Sequence, residues 1–326
     1  VVRASLHRAP RLAVAACLGA LAPDIDAVIM PFGWDVYLRL HEVGTHTIVG
    51  SVLVAVAVAV ALRSRLQPST FTLFSASWLG ALSHLLLDVV SGARIRLGWP
   101  LIDARTSVPL LAMAEPWLLA AALSAAVMTA LLNHHAQRAA RLALGAIAIA
   151  LTVKGIWLAQ ALGRWGGTPS SASTSTDAWI VESRWATLRE WTVYSRTSEA
   201  LTQVSIAPGR APAVIAKWAI EDEPSLVRSS RRLADVRNLL AVHELAFGRQ
   251  FPGTQGLTEV LWSDLRYCWR PADGNEGTLR TGPLALGAGP SRIACALWVG
   301  GTYDEAGRPI RQRVQVFGLW QGRPAQ

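Results

Sequence analysis

Charge is scarce in this chain. Asp, Glu, Lys and Arg make up 16% of its 326 residues, hydrophobic residues 52%, and the mean hydropathy is +0.31. An ordinary soluble domain carries about 25% charged residues, so one water-soluble globule is excluded and a membrane protein is indicated. Cysteine is nearly absent as well. The three present, Cys17, Cys268 and Cys295, form no C-x-x-C or other zinc-ligand spacing. Cys17 lies in an apolar run without a base partner and reads as a small packing residue. No G-x-S-x-G elbow occurs, and Ser51, Ser83 and Ser91 stand in no Ser–His–acid arrangement. The formal charge of +9 is dispersed and no nucleic-acid motif accompanies it, so we expect no nucleic-acid partner. There is no internal repeat. No cleavable signal pattern is visible, because the first apolar run contains acids. The chain opens on Val-Val-Arg rather than Met, and a further N-terminal piece or an earlier start is expected.

What is present is apolar sequence, concentrated in residues 11–163. From Arg164 onward the charge density is ordinary, with 19 of the 31 Lys and Arg and 15 of the 22 acids. The expected organisation is therefore a transmembrane helical domain over 1–163, a small polar linker over 164–178 and a soluble α+β domain over 179–326. Apolar segments at about 11–30, 46–62, 71–91, 108–132 and 142–163 predict four or five spans, since about 17–25 residues cross a bilayer. In the C-terminal half, Trp191–Tyr194, Val260–Trp269, Ile293–Val299 and Arg313–Trp320 read as strands. Residues 225–247 read as one helix.

Six potential ligands interrupt the apolar runs: Asp24 and Asp26, His41 and His46, His84 and Asp88. An ionised group in hydrocarbon costs about 2.5–3.5 kcal/mol on the more lenient scale, so three such clusters need a reason. His84 and Asp88 are four apart and share one helix face; alone, the pair suits a structural hydrogen bond equally well. Asp24 and Asp26 repel unless a cation or proton lies between them, although helix-end solvation would also hold them. His41 and His46 bracket Gly44 just before a helix, where interfacial loop histidines also occur. The order of the segments decides between these readings. Antiparallel spans joined by short loops would bring all three clusters to one membrane face, and oxygen plus imidazole ligands indicate a metal.

The opposite face carries Arg3, Arg8, Arg11, Arg63, Arg65, Arg138 and Arg141 with no acid among them. By the positive-inside rule that face is cytoplasmic, so the clusters and the C-terminal half are expected outside. A Cys268–Cys295 disulfide is then possible. His7, His134 and His135 fall on the Arg-rich face and read as solvated; His243 reads as part of a soluble helix.

Leu21-Ala-Pro-Asp-Ile-Asp26, His41-Glu-Val-Gly-Thr-His-Thr47 and Gly80-Ala-Leu-Ser-His-Leu-Leu-Leu-Asp88, followed by Trp99-Pro100, resemble in order the motifs of the YdjM-like family of bacterial inner-membrane, metal-dependent hydrolases. The resemblance covers about residues 12–120. The family Arg after the first His is Glu42 here, and the His-bearing Thr-His-Ala helix that commonly opens the family is missing. Glu115-Pro116-Trp117 resembles an Asp-Pro pair of longer members, which makes Glu115 a possible seventh site residue. The resemblance implies one or two divalent ions, zinc by ligand type, held by Asp24, Asp26, His41, His46, His84 and Asp88, with Asp24 or Asp26 as general base. It implies hydrolysis of an ester or phosphoester, and a site at the membrane surface favours a lipid or lipid-linked substrate. Two other readings remain open: a non-catalytic module with a structural metal or an ion or proton relay, and a soluble half that carries the function on a helical anchor.

Overall fold

The computed structural model describes residues 2–41, 43–65, 68–112, 115–131, 136–166, 178–220, 223–253, 256–269, 284–286, 293–316 and 319–324. Glu42, His134, His135 and most of the expected linker lie outside them. The chain divides into two compact units, Val1–Pro109 and Leu110–Gln326.

The first unit is helical: α1 (Val2–Leu21) continuing as a 3-10 segment (Ala22–Phe32), then α2 (Trp34–His41), α3 (Ile48–Leu62) and α4 (Thr70–Val90). The change from α to 3-10 comes at Ala22-Pro23, and Pro31, which lacks an N–H, lies near the end of the 3-10 segment. Thr47 caps α3 by accepting from the Gly50 N–H at 2.9 Å, and Ser69 caps α4 by accepting from the Thr72 N–H at 3.2 Å. α4 packs against both α1 and α3. At the α1–α4 crossing the backbones touch: a Cβ on Gly19 would lie 2.0 Å from the Ser77 carbonyl oxygen, and one on Gly80 would lie 2.0 Å from that of Ala16. Only glycine fits at such an approach. The Ser77 hydroxyl adds a bond to the Ala15 carbonyl at 3.1 Å.

In the second unit α5 (Pro116–Leu131) and α6 (Ala136–Trp165) precede a β-rich region. Its first sheet is an antiparallel meander of β1 (Ala178–Ser183), β2 (Trp191–Arg196), β3 (Ala200–Ile206) and β4 (Ala213–Ala219). After α7 (Ser225–Ser230) and α8 (Ala234–Val242) come β5 (Ala246–Pro252), β6 (Thr258–Asp264), β7 (Cys268–Trp269), β8 (Leu284–Leu286), β9 (Ile293–Cys295), β10 (Leu297–Tyr303), β11 (Pro309–Val316) and β12 (Leu319–Pro324). They form sheets ordered β12-β11-β10-β6-β5 and β7-β9-β8. Alternation along β1 and its neighbours sorts side chains to two sides. Ile180, Leu201 and Trp218 meet Phe247, Leu261 and Trp298 of the second sheet, whereas Val181, Trp191, Val193 and Ile206 cover Leu158 and Ala161 of α6. Cys268 and Cys295, cross-strand partners on β7 and β9, form a disulfide.

Three expectations change. Among the described residues three helical stretches are long and apolar enough to cross a membrane: Arg11–Pro31, Thr70–Val90 and Arg141–Trp165. α3 is apolar but has 15 residues, which at 1.5 Å each reach about 22 Å against a core of about 30 Å. Four or five spans are thus not reached by length and composition. The single helix over 225–247 is two short helices and the start of β5. The Ser229 and Ser230 hydroxyls bond back to the Leu226 and Val227 carbonyls at the end of α7, and beyond α8 the run Leu245–Phe247 is buried as strand. Cys17 is free and exposed on α1 rather than packed.

One polar network lies inside the β-rich region. Asp264 is fully buried, accepts from the Arg266 Nε–H at 2.9 Å and has His243 Nδ1 at 3.3 Å. Burial alone would push the Asp264 carboxyl up, but the Arg266 guanidinium and His243 outweigh it and hold it well below the usual carboxylate range.

Candidate metal centre

The six predicted ligands come together at the end of the first unit's helices. Asp24 and Asp26 stand on the 3-10 segment after Pro23, His41 ends α2, His46 precedes the α3 cap, and His84 and Asp88 lie one turn apart on α4. The His46 turn is fixed by backbone demands. Gly44 has φ +87°, and a Cβ on Gly50 would come within 1.8 Å of the Gly44 carbonyl oxygen, so the first turn of α3 sits against the loop. The Thr47 hydroxyl closes it by donating to the Gly44 carbonyl at 2.7 Å.

His46 is the hinge of the cluster, 3% exposed. Its Nδ1 lies 3.3 Å from Asp26 Oδ2 and 3.2 Å from the Thr45 hydroxyl. Asp26 also accepts from His41 Nδ1 at 3.0 Å and from the Thr45 hydroxyl at 3.3 Å. With Asp26 and Thr45 on its Nδ1 side, the His46 ring turns Nε2 the other way. On that side Nε2 faces His84 Nε2 at 3.4 Å, Asp24 Oδ1 at 3.5 Å and Asp88 Oδ2 at 3.8 Å. His84 Nε2 is in turn 3.6 Å from Asp24 Oδ1 and 3.3 Å from Asp88 Oδ2.

Four electron-rich atoms thus converge, and Asp88 Oδ2, although buried, has no hydrogen-bond partner among the described residues. Such an arrangement needs a cation or shared protons. The spacing fits a metal: tetrahedral bonds of about 2.0–2.1 Å give ligand–ligand edges of about 3.3–3.4 Å, and the five separations above run from 3.3 to 3.8 Å. Five of the six residues fall into two groups able to hold an ion, Asp24–His46–His84 and Asp26–His41–His46, joined through His46, and Asp88 lies beside the first group at 3.3 Å from His84 and 3.8 Å from His46. The set is not closed. The Asp24 side chain is 55% exposed while Asp26 is 6% exposed, so the cluster is open on its Asp24 flank.

Glu115 belongs to the second unit. There its Oε2 accepts from Lys154 Nζ at 3.1 Å and from the Ala112 N–H at 3.2 Å. Sequence reasoning missed Lys154, although a lone lysine inside an apolar helix signals a buried partner. It also missed Thr45, which nothing but its place between Gly44 and His46 could have marked.

Residues 2–161 match the protein family described as YdjM inner membrane protein. No curated protein and no solved structure matches the chain.

Proposed function

We propose, for a chain whose N-terminal half belongs to the YdjM family of inner membrane proteins, a membrane-embedded, metal-dependent hydrolase acting on ester or phosphoester bonds of a lipid or lipid-linked substrate. The observation that carries the reading is the convergence of Asp24 Oδ1, His46 Nε2, His84 Nε2 and Asp88 Oδ2 at metal-ligand spacing with an exposed flank. A structural site closes its coordination sphere; a catalytic one keeps a side open.

In this reading these four residues hold one divalent ion, zinc by ligand type. A divalent ion there would supply Lewis acidity and bring the pKa of water from 15.7 toward about 7. Asp26 holds the Nδ1–H of His46 and fixes the ring, as carboxylates behind ligating histidines commonly do. His41 and Thr45 hold Asp26 in turn. With three donors on it Asp26 is not free to take a proton, so the general-base role falls to Asp24, which solvent reaches. Position at the end of apolar helices favours a substrate whose acyl part stays in the bilayer while its ester reaches Asp24.

The site and the second unit are proposed to face away from the cytoplasm. The support is the Cys268–Cys295 disulfide, which persists in oxidising compartments, together with the acid-free arginine loops of the opposite face.

The test measures metal per chain by elemental analysis in wild type and His84→Ala, beside turnover of chromogenic carboxylic ester and phosphodiester probes with and without chelator. The expected result is metal in wild type, its loss in the variant and chelator-sensitive turnover. Undiminished metal in His84→Ala refutes the ligand set. A metal-loaded protein inert toward both probes favours the alternative of an ion or proton relay, for which the succession His41–Asp26–His46–His84–Asp88, each 3.0–3.4 Å from the next, is the supporting observation.

A further inference from the structure

The second unit holds a feature the metal chemistry does not use. A groove of about 810 Å³ lies between α5 and α6, lined almost wholly by apolar side chains. Leu142, Ala146, Ala150 and Lys154 line it at four-residue spacing along one face of α6, with Trp117, Leu118 and Ala121 of α5 opposite. From Leu142 to Trp157 it runs about 22 Å at 1.5 Å per residue, more than the roughly 15 Å of one leaflet's hydrocarbon.

Arg138 stands at the end of the groove next to Leu142, and the opposite end carries an ion pair and aromatic rings. Lys154 and Glu115, with side chains 4% and 2% exposed, form a buried ion pair, and Glu115 Oε1 has no hydrogen-bond partner among the described residues. Beyond it opens a second cavity of about 450 Å³, which shares Trp117 and Leu188 with the groove. Its rim is the β1–β2 turn and the turn after β3. There Arg184 and Arg210 both reach Glu190, at 2.8 and 3.6 Å, and Arg189 lies over the Trp157 ring at 4.3 Å. Three arginines against one acid leave this rim cationic. Trp117 and Trp185 are more than half exposed, as aromatic side chains at a bilayer surface are.

An apolar channel of acyl length ending at a cationic, aromatic rim has the polarity of an amphiphile. We propose that this unit binds an anionic phospholipid of the surrounding bilayer, with an acyl chain between α5 and α6 and the phosphate at Arg189 and Arg210. Nothing in this proposal uses the metal cluster, and its test leaves that cluster untouched.

The test is native mass spectrometry of the full chain in detergent, titrated with phosphatidylglycerol and phosphatidylcholine of the same acyl composition. Wild type is expected to retain phosphatidylglycerol at least tenfold more strongly. An arginine near an anionic surface contributes about fivefold, so Arg189→Gln/Arg210→Gln is expected to lose that preference while still binding both lipids weakly. Ala150→Phe fills the groove and is expected to lose both. Equal retention of the two lipids by wild type, a full preference in the arginine variant, or unchanged binding in Ala150→Phe overturns the proposal. The arginine variant alters the rim and not the core, so it decides the question even if Ala150→Phe fails to fold.

Discussion

Replacing Asp26 with Asn separates a ligand from a residue that aims one. Asn keeps the shape of Asp26 and removes its charge, and with it the strong acceptor for His46 Nδ1 at 3.3 Å and His41 Nδ1 at 3.0 Å. Asp24, His46, His84 and Asp88 are left in place. Loss of the carboxylate behind a metal-ligating histidine typically lowers affinity about 10–100-fold, or about 1.4–2.8 kcal/mol. The upper part of that range is expected here, because one carboxylate holds two histidines and Thr45. The assay is competition against a chromogenic chelator, with metal per chain measured separately. The expected result is unchanged stoichiometry with a raised Kd, against outright loss of metal in His84→Ala. If Asp26→Asn instead removes one ion of two, Asp26 and His41 are ligands of a second ion. If the Kd does not move, the geometry behind His46 has no bearing on the metal. Either result refutes the division of the cluster at the two nitrogens of His46.

Three further outcomes follow from other parts of the molecule. Gly80→Val puts carbon where the Ala16 carbonyl oxygen lies 2.0 Å from an ideal Cβ; metal per chain should fall below stoichiometric with every ligand retained, and a full complement would refute it. Lys154→Ala should lower stability in detergent by about 3–5 kcal/mol by leaving Glu115 buried and uncompensated, while Lys154→Met/Glu115→Leu costs less; the check is a thermal melt, and a double variant worse than the single would refute the reasoning. Asp264 is held below its unfolded pKa, so its contribution is complete above about pH 4 and is lost as pH falls toward the folded value. Wild type should therefore destabilise below about pH 4, read by fluorescence of the buried Trp262 and Trp298, and Asp264→Asn should be weaker at pH 7 with that acid dependence reduced.

The cluster was legible because polarity inside apolar sequence is costly and segment order fixes the membrane face. Asp24, Asp26, His46, His84 and Asp88 could be paired by spacing and order alone. Their division could not, because it depends on which way the His46 ring turns, and that is set by the Gly44 turn and the fit of Gly50 against it. The ion pair of Lys154 with Glu115 joins residues 39 apart and needs the pairing of α5 with α6, which no local pattern encodes. Residues 225–247 misled for a different reason. Leucines at helical spacing in two short helices merged with a buried strand run, and strand and helix periods are indistinguishable over so few residues. In α3 the apolar run marks the helix, but its cap at Thr47 cuts it to 15 residues.

The contact of backbones at Gly19 and Gly80 bears on how the protein is made. Asp24 sits five residues beyond one of these glycines and His84 four beyond the other, so the ligand spacing depends on two main chains meeting rather than on flexible side chains. No single inserted helix carries enough donors for tight binding; the four arrive from the 3-10 segment after α1, the turn before α3 and the last turns of α4. An ion held by this set could enter only after all three helices had found one another in the bilayer. Metal occupancy would then report completed membrane assembly, and a chain halted after α3 would leave the translocation machinery without it.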